Sequence, residues 1–260
     1  MIWFLMYGCS SKIFDSAAVM EESSVYVIDE LLFARRSDEG TWGFDIDGRS
    51  SSHVDSQGCF HEDLVDPMGN DGIDNALSGI VPALELTEAA AIEPLIDAAI
   101  RDGSLQFILE IEESEVIIHR GIGAAMVGTD GKILDSQSFV VEPEPLQILS
   151  FFSDQDTLLA LGLEFPLRLS VMGEDIQMDM YQGGLRWSKQ EDGTLFGVLG
   201  GGIPTENLIE LVEIEEVGPN ELFRGFVEST ADLFPDASGK CQFFSAGFVF
   251  HAIPAFLIAD

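Results

Sequence analysis

The chain has 260 residues, 46% of them apolar and 19 of them phenylalanine, which suits one or two domains with a sizeable core. Acidic side chains number 46 against 12 basic ones, a formal charge of −34. Such a surface repels polyphosphate, which argues against nucleic acid and leaves cations, cationic ligands or plain solubility as what the charge serves.

The chain opens with MIWFLMYGCSSK. This apolar run is too short to span a bilayer, and no basic stretch precedes it as in a complete secretory signal. LMYGCSS nevertheless resembles a bacterial lipobox, in which a small residue, here Gly8, precedes a cysteine that carries a diacylglyceryl group. Cys9 is therefore the lipidation candidate, although Met6 and Tyr7 depart from the usual leucine and small residue. Residues 1–23 form this lipobox-like start and a polar tether, and residues 24–260 a single mainly-β domain. Contact with a membrane is expected through the lipid anchor only.

Ser24–Arg36 reads as an extended segment rich in apolar and β-branched residues. From 38 to 75 the periodicity vanishes and Gly, Ser and Asp dominate. A loop this long inside a domain needs an organiser. One candidate is a cation held by Asp45, Asp47, Asp55, Asp63, Asp66, Asp71, Asp74 and Asn75, among which Arg49 is the only basic neighbour. Ca²⁺ suits such a segment because it accepts six to eight oxygens from carboxylates, amides and carbonyls in flexible geometry. The spacing is not that of an EF-hand, since Gly48 comes too early after Asp45 and Arg49 falls on a ligand position. DIDG and DGIDN resemble the short acidic repeats of thrombospondin-type calcium modules, though they are not in tandem. The competing reading is a solvated acidic loop ending in an Asx helix cap.

The second organiser is a disulfide. With Cys9 set aside, Cys59 and Cys241 form an even pair, compatible with one bridge in an exported protein or with two unrelated buried thiols. A transition-metal reading of His53, Cys59 and His61 fits zinc spacing poorly and fails if Cys59 is bridged.

Residues 75–103 form the helical segment. Asp74 or Asn75 caps a first short helix, and Thr87 with Glu88 starts a second that Pro94 kinks or delays and Gly103 ends. From Leu105 the period becomes two, giving a succession of antiparallel strands with turns at TDGK, GED and EDGT. TENLIELVEIEEVG is ambiguous, and ELFRGFVEST and CQFFSAGFVFHAIPAFLIA read as terminal strands. Phe244, Ala246, Phe248 and Phe250 share one face of the last. The expected fold is α+β, mainly β: an antiparallel β-sandwich or strongly curved sheet with a short helical segment packed on it.

The sequence contains no G-x-S-x-G elbow, and GVLGGGIP lacks the Lys-Ser/Thr of a phosphate-binding loop. Paired carboxylates for hydrolysis are too numerous to single out. GFDIDG, GCFHEDLVDPMGNDGIDNALSGIVPAL, GTLFGVLGGGI and CQFFSAGFVFHAIPAFL together resemble uncharacterised exported lipoproteins of myxobacteria and related bacteria. The shared pattern falls on Asp45, Asp47, Gly48, Cys59, Asp71, Gly72, Asp74, Asn75, Gly193, Gly197, Gly200, Gly201 and Cys241. The resemblance implies an address in the cell envelope, at the outer membrane or secreted, and no particular activity. The expected role is a binding or structural module, with a glycan, an envelope protein or a small apolar ligand as partner and Trp42, Tyr181 and Trp187 as residues to inspect. A secreted hydrolase using acidic residues and a purely structural envelope protein are the alternatives.

Overall fold

The computed structural model describes residues 24–86, 88–154, 157–171, 174–214 and 220–258; Cys9 and the tether lie outside them. Strand β1 (Ser24–Phe33) leads through the acidic loop to helices α1 (Ala76–Leu84) and α2 (Ile92–Asp102). Then come β2 (Phe107–Ile111), β3 (Glu115–Ile122), β4 (Gln137–Val141), β5 (Gln147–Asp154), β6 (Thr157–Val171), β7 (Glu174–Lys189) and β8 (Leu195–Pro204). Helices α3 (Thr205–Ile214) and α4 (Asn220–Thr230), the short β9 (Leu233–Pro235) and the long β10 (Cys241–Leu257) complete the chain.

Eight of these strands, β1, β2, β3, β5, β6, β7, β8 and β10, pair antiparallel in chain order. The circuit closes where β1 pairs with β10, from Tyr26 opposite Pro254 to Phe33 opposite Phe248. The architecture is mainly β as expected, but it is a closed barrel and not a sandwich. A sandwich has edge strands, and closure removes them by satisfying the N–H and C=O groups of β1 and β10 with each other. Strand β4 bridges β3 antiparallel and the end of β10 in parallel.

Alternation along β10 explains the core. Phe244, Ala246, Phe248, Phe250 and Ala252 are buried and point inward, where Phe107, Leu163, Phe165, Met180, Leu185 and Trp187 meet them. Phe107 stacks on Phe165 with ring centroids 4.3 Å apart, and Phe151 meets Trp187 edge-on at 5.2 Å. Rings fill this interior; each one sequestered from water is worth about 2–3 kcal/mol.

Ser245, Gly247 and Val249, between these inward positions, face out and are covered. Ser245 and Gly247 meet the start of α1, and Val249 packs on the acidic loop. The second helical stretch opens at Glu88 as a 3-10 turn (Glu88–Ala91), as Thr87 with Glu88 suggests, and becomes α2 at Ile92, just before Pro94. Gly103 ends it in the left-handed conformation. Arg35 ties both helices to the end of β1, 2.7 Å from Glu85 and 2.6 Å from Glu93. ELFRGFVEST is helix α4, not a strand.

Candidate metal centre

The acidic segment is not a free loop. Phe44 bridges to Asp74 and Leu64 to Ile73, so its two ends run antiparallel and its middle folds back. Phe44, with Trp42 and Ile46, packs on Leu159, Val198 and Val249 of the barrel's outer wall. Gly184 makes this possible: a Cβ there would stand 2.6 Å from the Phe44 ring.

Aspartates organise the loop's backbone. Asp45 Oδ1 accepts the Gly48 and Arg49 amides at 2.7 and 2.9 Å. Asp55 Oδ1 accepts that of Gln57, and Asp63 Oδ2 that of Ser51. Asp66 Oδ1 accepts the Met68 and Asn70 amides. The bonds to Asp45, Asp55 and Asp66 make Asx-type turns, which give a short polar side chain the part of a backbone carbonyl, whereas the Asp63 bond ties together parts of the segment 12 residues apart.

The structure divides the eight predicted ligands. Carboxylate oxygens of Asp45, Asp47 and Asp74 lie within 4.8 Å of one another. Asp63 is near enough to act on Asp47 and Asp74 electrostatically. Asp66 stands apart, with its side chain fully buried against Arg186 at 2.9 Å. Asn75 is buried as the cap of α1: its Oδ1 accepts the Ser78 amide, and its Nδ2 donates to the Trp42 carbonyl at 2.8 Å. Asp55 is engaged in its own turn, and Asp71 is exposed.

Asp74 is the pivot of the cluster. It is 4% exposed, and its Oδ2 accepts the Ile46 amide at 2.7 Å. Burial pushes its carboxyl up to about 9 against that hydrogen bond, and Asp232, Asp47 and Asp63 push the same way. Asp47 is raised by burial and then by Asp63 and Asp45, and its Oδ1 is a buried oxygen without a hydrogen-bond partner. Asp63 is raised by burial and further by Asp45 and Asp55. Concentrated negative charge with little cationic compensation is what a divalent ion relieves.

Asp232 belongs to the same electrostatic group, and the sequence reading missed it. It accepts the Ser245 amide at 2.8 Å and the Ser245 hydroxyl, while that hydroxyl accepts the Ala76 amide at 2.7 Å. Burial raises its carboxyl to about 7. The available signal was a lone acid in the apolar run TADLF and a lone hydroxyl in QFFSAGF.

The donors fit calcium. Ca–O distances of about 2.3–2.6 Å place ligand oxygens on opposite sides of the ion roughly 5 Å apart, which matches the triad's spread. Gly72, at φ +80°, lets the backbone pack closely against the cluster, since a Cβ there would be 2.5 Å from the Arg49 carbonyl and 3.4 Å from the Asp45 carboxyl carbon. Cys59 and Cys241 meet as a disulfide with Cα atoms 6.0 Å apart, which removes the zinc reading of His53, Cys59 and His61. Cys59, Cys241 and Ala231 form a buried cluster that fastens the loop to β10 and the end of α4.

Comparison of the chain with protein-family models, curated proteins and solved structures gives no match.

Proposed function

We propose that this chain is a cell-envelope lipoprotein, anchored through Cys9, whose acidic rim holds a calcium ion and whose barrel is a binding or structural module. The observation that carries the metal reading is the convergence of Asp45, Asp47 and Asp74 around a buried, uncompensated charge. Calcium would supply the missing positive charge. It would also couple the strand-like turn at Asp45 to the cap of α1, because Asp74 immediately precedes Asn75. Equilibrium dialysis tests this: one ion is expected per chain, lost in Asp47→Asn, and the absence of saturable binding at millimolar calcium would overturn it.

A proton is the competing occupant. With carboxyls raised to about 9 and about 7, Asp74 and Asp232 can stay neutral near pH 7 without a metal. The two readings separate on whether calcium displaces those protons.

Recognition by the module belongs on its outer surface, because aromatic rings occupy the barrel interior. Of Trp42, Tyr181 and Trp187, the last is buried in the barrel core. Trp42 stands half-buried beside Phe196, with ring centroids 5.9 Å apart. Together with Arg186, Ser188 and Thr157 they line a recess of about 50 Å³. Such a recess takes a substituent of a glycan or of a protein side chain, and favours those partners over an enclosed apolar ligand.

A further inference from the structure

We propose that the apolar face formed by β3, β4 and the end of β10 rests on a lipid surface; this goes beyond the reading of Cys9 as an anchor but rests on it. Ile122 pairs with Val140, and Phe256 with Ser138. The Ile258 amide donates to the Phe139 carbonyl at 2.9 Å, which brings Ile258 beside Val140. The Leu134 amide likewise reaches the Met126 carbonyl at 2.9 Å. Phe139 between them is buried, so the strand gives one apolar side to the core and another to the outside. Phe256 is 57% exposed, Met126 59%, Ile122 52%, Ile258 47% and Leu134 45%. Scattered apolar residues need no explanation, but a contiguous group on paired strands marks a contact surface.

The position of the chain's exit indicates which surface. The last β1–β10 pair is Tyr26 with Pro254, and two residues further along each strand stand Ser24 and Phe256. The segment bearing Cys9 therefore joins the barrel beside this face. Fourteen residues lie between Cys9 and Ser24, a reach of at most about 50 Å when extended. An anchor so close keeps the face at high effective concentration near the bilayer, where a weak apolar contact suffices. A net charge of −34 works against anionic lipid, so the contact is with zwitterionic headgroups and acyl chains.

The test uses the full chain in bacterial membranes, with a benzophenone amino acid replacing Phe256 or, as a control on the acidic loop, Val54. Palmitate labelling of Cys9 is followed in parallel. Lipid adducts at position 256 and not at 54 are expected. Label on Cys9 without an adduct at 256, or an adduct there to protein or to a second copy, would overturn the face while leaving the anchor standing. An adduct without the label would uphold the face and remove the anchor. Neither label nor adduct would remove both.

Discussion

Asp74 Oδ2 accepts the amide of Ile46 at 2.7 Å, a bond across 28 residues that joins the start of the acidic segment to the residue before the cap of α1. The carboxylate is thus placed by backbone at both ends, with its charge left for something else to neutralise. Asp74→Asn keeps an acceptor for Ile46 and removes the charge. The variant is expected to stay folded and to lose its thermal response to calcium. An unchanged response would place the ion elsewhere.

Stability without calcium should fall as pH rises. Asp74 and Asp232 carry carboxyls raised from 3.8 to about 9 and about 7. Below the unfolded value both states hold the protons and the benefit is complete. Between the unfolded and folded values the unfolded chain has released protons that the folded one keeps, so each rise in pH favours unfolding. The slope is about 1.4 kcal/mol per pH unit for each group, from both up to pH about 7 and from Asp74 alone up to about 9. Urea melts in EDTA across this range check it, and Asp74→Asn should flatten the upper part. A stability rising from pH 5 to 9 would contradict the assignment.

Arg186 and Asp66 make a buried ion pair, with side chains 9% and 0% exposed. Removing one partner leaves the other charge buried, at a cost of about 3–5 kcal/mol. Arg186→Leu should lower the melting temperature by a similar amount with calcium and with EDTA, because Asp66 docks the loop and does not hold the ion. A calcium-dependent loss would return Asp66 to the ligand set.

The Cys59–Cys241 bridge spans 182 residues. Chain entropy for so long a loop gives up to about 5 kcal/mol, and native disulfides typically supply 2–5. Reduction, or the double variant Cys59→Ala/Cys241→Ala, should lower the melting temperature substantially and expose the loop near His61 to protease. Equal melting with and without reductant would rule the bridge out as a stabiliser.

Local pattern carried much of this fold. The alternation of Phe244, Ala246, Phe248 and Phe250 identified the inward face of β10, and Asn75 was legible as a cap because Asx residues before an apolar helix have that role. Closure was not legible, because it depends on β1 meeting β10 more than 200 residues away, and a period of two is the same in a sandwich and in a barrel. The Phe and Val content of α4 suggests a strand, although Leu222, Phe226 and Val227 recur at helical spacing. In the acidic segment composition suggested eight ligands, and only folding decides which carboxylates turn backbone, which pair with Arg186 and which converge.

The most direct measurement is the thermal midpoint of the full oxidised chain at mildly alkaline pH, in EDTA and in calcium at about a hundred times its dissociation constant. Binding to the folded state alone then supplies about 2.7 kcal/mol, which for a domain of this size is a rise of roughly 5–10 °C. A rise of that order with calcium, abolished in Asp47→Asn and in Asp74→Asn, is the expected result. Identical midpoints in calcium and EDTA would contradict the metal centre and leave Asp74 as a protonated, purely structural acid.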